Sequence, residues 1–290
     1  MARSKVPSEC CERHGGLTRF CPVCGRLLAG GEVLENPESG HRYERVATLA
    51  QGGMSTTYLV FNHQNDRLAV LKEIDADLSR KAKARELFLR EAQVLAELDH
   101  GGIPRFYDYF SSDERHYLVM EMIHGLTLEQ VQPRSAAQAA GWMIEACNVL
   151  VYLHGLQPPV IHRDIKPANL ILRYNPREVV LIDYGAVKLA GGRQGTRIAT
   201  PGYSPPEQGR GRPCLQSDIY GVGMTLVFLL TRQFPGRFYH PRERRLVGLE
   251  EAGIEAPLAA VIAKATAYLP QERHRDSQEL AHALAPFALG

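Results

Sequence analysis

The chain has 290 residues, of which 44% are hydrophobic and 23% charged, and its formal net charge is +2. This composition is typical of a soluble globular protein with two domains or one two-lobed domain. The small net charge gives no reason to expect a nucleic-acid partner, and no apolar run approaches the ~18–20 residues that a membrane span requires. Because no apolar segment follows Met1, no secretory signal is expected and a cytoplasmic location is predicted.

The cysteine-rich start, residues 1–30, predicts a zinc-ribbon-like segment. Cys21 and Cys24 have the spacing of a zinc knuckle, and Cys11 with His14 can complete a tetrahedral Cys3His site. Cys10 is an alternative to Cys11 or His14 as a ligand. The competing interpretation is a reduced terminus without metal, whereas a redox role is disfavoured because no thioredoxin-like βαβ pattern surrounds these cysteines. We expect this segment to serve partner docking or regulation rather than catalysis.

The remaining chain predicts an α+β domain. Residues 31–42 are expected to be a linker because they contain the turn-forming run Asn36-Pro37-Glu38-Ser39-Gly40. The domain is expected over 43–288, with a strand-rich lobe at 43–123, a helix-rich lobe at 124–288 and a cleft between them. The predicted strands are 43–50, 56–62, 67–74 and 117–122, with short ones near 169–172 and 179–182. The predicted helices are 80–98, 135–154, 217–231 and 256–268.

A lysine and a glutamate in the first lobe are candidates for an ion pair. Glu91 lies on the apolar stripe of helix 80–98, where a carboxylate is costly unless a cation meets it. Lys72, at the end of an apolar strand, is its natural partner. A lysine fixed in this way can orient a polyphosphate, although a lysine at the end of a strand is more often a surface residue.

Two segments of the second lobe carry residues suited to phosphoryl transfer. In Ile161-His-Arg-Asp-Ile-Lys-Pro-Ala-Asn169, a carboxylate can accept a hydroxyl proton, a lysine can offset phosphoryl charge and an amide oxygen can ligate Mg²⁺. These residues are Asp164, Lys166 and Asn169. The second segment is a buried strand that ends in Asp183-Tyr184-Gly185, where the carboxylate can reach the same metal.

These motifs, in this order, resemble the eukaryotic-type protein kinase superfamily as found in bacterial Ser/Thr kinases. The resemblance runs from about Tyr43 to Phe287 and implies a two-lobed kinase fold that uses ATP and Mg²⁺ on protein substrates. It implies that Asp164 is the catalytic base and that Lys166 stabilises charge. Asn169 and Asp183 would hold Mg²⁺.

The resemblance also implies roles for residues outside these two motifs. Lys72, fixed by Glu91, would contact the α- and β-phosphates. The backbone of Glu121 to Ile123 would bind adenine, with Met120 behind it and Val70 at the border of the pocket. Glu207, in Pro205-Pro-Glu207, would pair with Arg273. Asp218 would brace the backbone of the catalytic loop.

The glycine-rich phosphate loop departs from the family pattern. The segment reads Ala50-Gln51-Gly52-Gly53-Met54-Ser55-Thr56-Thr57, so only Gly52 remains of the three family glycines. Ala50 and Ser55 place side chains where the backbone should approach phosphate, and Thr57 replaces the valine that would cover adenine. We expect weaker or slower use of ATP. This loop also supports a second hypothesis, a pseudokinase that acts as a nucleotide-sensing scaffold, and a third is a zinc-ribbon interaction protein.

The segment between Asp183 and Glu207 resembles an activation loop. Thr200 resembles the family threonine that contacts the catalytic aspartate and lysine, so Thr196 is the preferred phosphorylation site, and an unmodified surface threonine is the alternative. Arg163 and Arg197 would meet a phosphate on Thr196.

Two local clusters of arginines occur after the catalytic loop. The first cluster comprises Arg193, Arg197, Arg210 and Arg212, and the second comprises Arg242, Arg244 and Arg245. We interpret the second cluster as a solvated face.

Overall fold

A computed structural model describes residues 31–52, 54–190 and 199–289 of the chain. The chain divides into two compact units. Within the described residues, the first unit comprises 31–92 and 106–122, and the second comprises 93–105 and 123–289. The first unit is rich in strands and the second in helices, as the sequence predicts.

The first unit is built on a six-stranded antiparallel sheet. Its spatial order is β1-β2-β3-β4-β6-β5, so strands that follow one another in sequence are mostly neighbours. A short helix and a longer one follow β4, and the boundary between the two units falls inside the longer helix. The elements are β1 (Val33–Glu35), β2 (Arg42–Gln51), β3 (Ser55–Asn62), β4 (Arg67–Ile74), α1 (Ala76–Ser79), α2 (Ala82–Glu97), β5 (Phe106–Ser112) and β6 (Arg115–Glu121).

Alternate residues of the strands form the core of the first unit. Buried side chains from all six strands pack into one cluster, which includes Leu34, Val60, Leu71, Phe110 and Val119. Side chains alternate between the faces of a strand, so each strand contributes one face to this cluster. On α2, Phe88, Glu91, Ala92 and Leu95 are buried, so Glu91 does lie on an apolar stripe of the helix.

The prediction of a linker at 31–42 is wrong for part of this segment. Val33–Glu35 pairs antiparallel with β2, and Leu34 is buried in the core cluster. Asn36 follows the strand, and its amide nitrogen donates to both carboxylate oxygens of Asp108 at 3.0 Å. Tyr43 donates to the same carboxylate at 2.8 Å. The segment therefore belongs to the first unit. A three-residue strand is too short to reveal itself by alternation of hydrophobicity.

The second unit consists mainly of helices. Its helices are α3 (Ala136–Gly155), α4 (Pro206–Gly209), α5 (Leu215–Thr231), α6 (Ala256–Ala265) and α7 (Ser277–Ala288). Its strands are β7 (Gly125–Thr127), β8 (Val160–Ile161), β9 (Leu170–Arg173), β10 (Val179–Leu181), β11 (Lys188–Leu189), β12 (Tyr239–His240) and β13 (Arg245–Leu246).

Helix α5 lies at the centre of the second unit. Most of its residues are buried, including Asp218 and much of the apolar run from Val222 onward. Gly221 allows α5 to approach the catalytic loop, because a Cβ atom at this position would lie 2.9 Å from the carbonyl oxygen of Ile165. Any side chain there would push the loop away from the helix.

The predicted strands and helices are present, with ends shifted by a few residues, but two longer elements were missed. Strand β5 has an irregular pattern, because a register shift against β6 falls between Phe106 and Asp108. Helix α7 begins at Ser277, with Asp276 as its N-cap, in a stretch for which no helix is predicted. Among the described residues, no helix is long and apolar enough to cross a membrane.

Replacing Asn36 by alanine should destabilise the first unit. The side chain is 4% exposed, and its loss would leave the Asp108 carboxylate short of a donor. We expect the free energy of unfolding to fall by about 1–3 kcal/mol, measured by urea denaturation. Glu35→Ala, at an exposed neighbour, should change it by less than about 0.5 kcal/mol. Equal effects of the two substitutions would contradict the assignment of Asn36 as an anchor.

Candidate active site

The carboxylate of Asp164 is held by neighbours in its own loop. The loop follows β8 and ends in a 3₁₀ turn at Pro167–Asn169. Lys166 Nζ donates to Oδ2 of Asp164 at 2.8 Å. The amide nitrogen of Asn169 donates to the same oxygen at 2.8 Å and to the backbone oxygen of Asp164 at 2.9 Å. The structure therefore brings the three predicted catalytic residues together, and the amide oxygen of Asn169 is its remaining metal-ligating atom.

Thr200 contacts the other oxygen of the same carboxylate. Its hydroxyl donates to Oδ1 of Asp164 at 2.6 Å, and its backbone nitrogen donates to Ser204 Oγ at 2.8 Å. The predicted contact between Thr200 and the aspartate is confirmed. Both oxygens of Asp164 thus accept hydrogen bonds, which fixes the orientation of the carboxylate.

A second aspartate holds the backbone of the catalytic loop from within the protein. Asp218, 1% exposed, accepts hydrogen bonds from the backbone nitrogens of His162 at 2.9 Å and Arg163 at 2.7 Å. Arg163 has a φ of 72°, a left-handed conformation that costs about 1–2 kcal/mol for a residue with a side chain. The two bonds stabilise this conformation, so the predicted bracing contact of Asp218 is confirmed.

His154 also contacts Asp218, and sequence reasoning did not find it. Its Nε2 lies 3.0 Å from Oδ2 of Asp218, and its Nδ1 lies 3.3 Å from the hydroxyl of Ser277 on α7. The side chain belongs to α3 and is almost fully buried. The only sequence signal is a histidine in the last turn of a helix, which is too common to assign a role.

The segment Pro205-Pro-Glu207 is anchored by an ion pair in the second unit. Arg273 donates to the two carboxylate oxygens of Glu207 at 2.7 and 3.1 Å, which confirms the predicted pair. Gln208, another residue missed by sequence reasoning, donates its amide to the backbone oxygen of Arg163 at 2.6 Å. These bonds tie α4 to the catalytic loop.

Asp183 follows β10 and presents an exposed carboxylate near Asn169. Its φ is 65°, and one of its carboxylate oxygens accepts from the backbone nitrogen of Gly185 at 3.3 Å. The preceding residue, Ile182, donates its backbone nitrogen to the backbone oxygen of Asn169 at 2.9 Å. The two predicted Mg²⁺ ligands are therefore carried on hydrogen-bonded segments, and carboxylate and amide oxygens are the donors that Mg²⁺ prefers.

Tyr184, the residue after Asp183, is buried. Its ring meets that of His162 edge to face, with centroids 5.1 Å apart. Burial raises the pKa of Tyr184 well above its ordinary value, and burial lowers the pKa of His162, which favours a neutral imidazole. The hydroxyl of Tyr184 is buried and has no hydrogen-bond partner among the residues that the structure describes.

In the first unit, Lys72 is paired with Glu91. Lys72 Nζ donates to the two carboxylate oxygens at 2.8 and 3.0 Å, and Glu91 is 3% exposed. The predicted ion pair is therefore confirmed. Lys72 lies on β4, opposite Thr57 of β3 and Leu118 of β6, so the sheet fixes the base of its side chain.

The residues predicted to surround adenine lie on strands β4 and β6 or shortly after β6. Val70 is paired with Met120, and Ala69 with Glu121, across β4 and β6. Ile123, in the second unit, is buried.

The predicted phosphate loop is a tight hairpin. Gly52 donates its backbone nitrogen to the backbone oxygen of Ser55 at 3.0 Å, and Ala50 is paired with Thr57 across β2 and β3. Among the described residues, a Cβ atom at Gly52 would approach the backbone oxygen of Ser55, at 3.4 Å.

Several predicted site residues lie outside the described residues. No cluster of three or more metal-ligating side chains occurs in the ranges 31–52, 54–190 and 199–289. The residues outside these ranges are Cys11, His14, Cys21 and Cys24 of the predicted zinc site with the alternative ligand Cys10, Gly53 of the phosphate loop, and Thr196 and Arg197 of the activation loop.

Comparison with known proteins places this arrangement among protein kinases. Residues 43–283 match the protein kinase domain family. The chain is 34% identical over 262 residues to Serine/threonine-protein kinase D of Synechocystis sp., covering 84% of this chain and 52% of that protein. It is 37% identical over 266 residues to Serine/threonine-protein kinase PknA of Nostoc sp., covering 84% and 47%. The chain thus spans about half the length of these curated relatives.

Solved structures give the same fold. The crystal structure of the Mycobacterium tuberculosis PknI kinase domain superposes with a TM-score of 0.69 at 24% identity, covering 90% of this chain and all of that one. At this level of identity, the likeness establishes the two-lobed fold and nothing further.

Replacing Tyr184 by phenylalanine should stabilise the protein. The substitution removes a buried hydroxyl that lacks a partner among the described residues, and such a group costs about 1–3 kcal/mol. We expect the free energy of unfolding, measured by urea denaturation, to rise by about 1 kcal/mol.

The matched control is Tyr43→Phe, which removes a hydroxyl that donates to Asp108 at 2.8 Å. This variant should lose about 1 kcal/mol of stability. If both variants lose stability equally, the Tyr184 hydroxyl has a partner in the folded protein.

Proposed function

This chain belongs to the protein kinase domain family, and we propose that it is a serine/threonine kinase that transfers the γ-phosphate of ATP to protein hydroxyls. The observation that carries the proposal is the carboxylate of Asp164, which Lys166, Asn169 and Thr200 hold in one orientation. A carboxylate fixed in this way can position a hydroxyl and accept its proton. The resemblance of the curated relatives, which are named as Ser/Thr kinases, supports the same assignment.

Asp164 and Lys166 would take part directly in the transfer of the phosphoryl group. The oxygen of the substrate serine or threonine forms a bond to the γ-phosphorus, and the bond from that phosphorus to the bridging oxygen of ADP breaks. The hydroxyl proton passes to Asp164. The ammonium group of Lys166, 2.8 Å from Asp164, offsets the negative charge of the moving phosphoryl group.

The first unit carries a candidate ligand of the nucleotide phosphates, and the second unit carries candidate ligands of the metal. Lys72, kept in place by Glu91, would contact the α- and β-phosphates. Asn169 and Asp183 fit a hard cation because they offer an amide and a carboxylate oxygen on hydrogen-bonded segments. When bound there, Mg²⁺ would neutralise charge on the phosphate oxygens.

Adenine recognition is proposed for the backbone of 121–123. Glu121 and Ile123 are the ends of this segment. Met120 and Val70, which are paired across two strands, would border the base. The phosphates would approach the hairpin at Ala50, Gly52, Gly53 and Ser55. The tight turn at Gly52 leaves little freedom to the changed positions, which supports the expectation of weak or slow ATP use.

A pseudokinase that senses nucleotide is the second candidate. The observation that favours it is the hairpin, in which Ala50 and Ser55 carry side chains where the family has glycine. ATP would then raise the melting temperature of the protein without any transfer of phosphate. The paired Lys72 and Glu91 and the held Asp164 favour the active enzyme instead.

Control of the enzyme by activation-loop phosphorylation is part of the proposal. Thr200 already contacts Asp164, so its hydroxyl serves the loop structure and Thr196 remains the preferred site of modification. A phosphate on Thr196 would attract the guanidinium groups of Arg163 and Arg197.

We also propose that Cys11, His14, Cys21 and Cys24 bind one Zn²⁺ and that this segment docks a partner. Their spacing supports the proposal. Zinc analysis of the purified chain tests it, because a chain without stoichiometric zinc would rule the site out. The cytoplasmic location expected from the sequence stays a prediction.

Loss of either key carboxylate should abolish phosphate transfer. We expect Asp164→Asn and Asp183→Ala each to lower the rate by about 10²-fold or more, because one removes the proton acceptor and the other a metal ligand. The measurement is transfer of labelled γ-phosphate from Mg-ATP to the chain itself and to a generic basic protein. Chelation of Mg²⁺ should stop transfer, and added Mg²⁺ should restore it.

The control variant is Asp113→Asn, at an exposed turn with a φ of 50° that asparagine tolerates. It should transfer phosphate at the wild-type rate. Full activity of Asp164→Asn would refute the assigned base. Binding of ATP without transfer by the folded wild type would favour the pseudokinase.

Replacing Thr196 by alanine should prevent activation by autophosphorylation. We expect phosphosite mapping of active protein to find phosphate on Thr196, and we expect Thr196→Ala to lose most of its activity. Ser39→Ala, at an exposed residue of the first unit, is the control. An active wild-type protein without phosphate on Thr196 would refute this part of the proposal.

A further inference from the structure

Two arginines from the two clusters of the sequence meet at one tyrosine in the second unit. Arg210 Nη2 donates to the hydroxyl of Tyr268 at 2.9 Å. The guanidinium carbon of Arg244 lies 4.8 Å from the centre of the same ring. Arg210 follows α4 and Arg244 lies between β12 and β13, so the fold joins two arginines that are distant in sequence. We call these two residues the Tyr268 arginine pair.

The Tyr268 arginine pair has charge that no nearby carboxylate neutralises. Both arginines are exposed, and neither makes an ion pair within the part of the chain that the structure describes. The neighbouring Glu243 is engaged by Arg245, whose Nε donates to it at 2.8 Å. A tyrosine hydroxyl and an aromatic ring fix the two guanidinium groups without cancelling their charge. All three arginines of the second cluster are exposed, as the prediction of a solvated face requires, and Arg244 in addition contacts the ring of Tyr268.

The Tyr268 arginine pair is fixed relative to the catalytic loop. Arg210 follows Gln208 by two residues, about 7 Å of chain at most. Gln208 donates to the backbone of Arg163, the residue before Asp164, at 2.6 Å. Glu207, which precedes Gln208, forms an ion pair with the buried Arg273. An anion held by the pair would thus lie at a set distance from the candidate base.

We infer that the Tyr268 arginine pair is a docking surface for an acidic segment of the protein substrate. Two guanidinium groups with open donor edges suit carboxylates, which they bind through paired charge-assisted hydrogen bonds. Arg210 lies two residues after Gln208, which contacts the residue before Asp164. This position relative to the candidate base favours a substrate chain as the occupant. The identification of the bound segment as a kinase substrate rests on the proposed function. The binding itself does not require phosphate transfer.

Direct binding tests the docking surface apart from catalysis. The probe is a fluorescein-labelled serine peptide with three glutamates, and its partner is the same peptide with three glutamines. Fluorescence anisotropy with the whole chain should show tighter binding of the glutamate peptide. The double variant Arg210→Ala with Arg244→Ala should weaken that binding about three- to tenfold and leave the glutamine peptide unaffected. Raising the salt from about 0.05 to about 0.3 M should reduce the difference between the peptides.

The matched control removes two exposed arginines from other elements of the same unit. Arg134→Ala with Arg177→Ala changes net charge equally and should keep wild-type affinity. Tyr268→Phe should weaken binding less than the double variant, because the ring still faces Arg244 while the acceptor for Arg210 is lost. Arg210→Lys with Arg244→Lys retains the charge but loses the planar donors, so it should bind at an intermediate level. Thermal unfolding of each variant confirms that it is folded.

Three outcomes would overturn the inference. They are equal binding of the two peptides by wild type, equal loss in the matched control, and tighter binding of a DNA oligonucleotide through the same two arginines. In an active preparation, the double variant should raise KM for the glutamate peptide and leave kcat unchanged. If no phosphate is transferred but the binding results hold, the proposed function fails and the docking surface stands.

Discussion

The carboxylate of Asp218 is the interaction on which the catalytic loop depends. It lies inside the second unit and would be very costly there without donors, but two backbone nitrogens and His154 surround it. In return it holds Arg163 in a left-handed conformation that the chain would otherwise avoid. Asp164 is the next residue, so its direction is set by this buried charge. The geometry of the candidate base is therefore a product of helix α5 and not of the loop alone.

An ion pair with at least one buried partner occurs in each of the two units. Glu91 holds Lys72 in the first unit, and Glu207 holds Arg273 in the second. Each pair joins residues that are 19 or more positions apart in sequence. Removing one partner would leave a buried charge unpaired, which costs about 3–5 kcal/mol. Each ion pair therefore fixes one functional residue or segment to another part of its own unit. Lys72 is fixed to helix α2, and the segment of Glu207 is fixed to Arg273.

Much of the fold and of the site was predictable because the key residues lie in short ordered motifs. The strands 42–51, 55–62 and 67–74 and the helix α2 follow their hydrophobic patterns, and Glu91 stands out as a charge on an apolar stripe. Long-range contacts without a motif were not predictable. His154, Gln208 and Tyr268 acquire their roles only from neighbours that the fold brings to them. The short β1 gave no periodic signal, and the residues that the structure does not describe keep their predictions untested.

Strand β1 changes where this domain begins. The match to the protein kinase family starts at residue 43, but within the described residues the first strand of the sheet starts at Val33. A chain trimmed to the family boundary would lose β1 and expose the backbone groups of Tyr43 and Glu44, which β1 pairs at the edge of the sheet. Unprotected edge strands can pair with other chains. The trimmed protein would also lose the buried Leu34, so a start chosen from sequence similarity alone would remove part of the core.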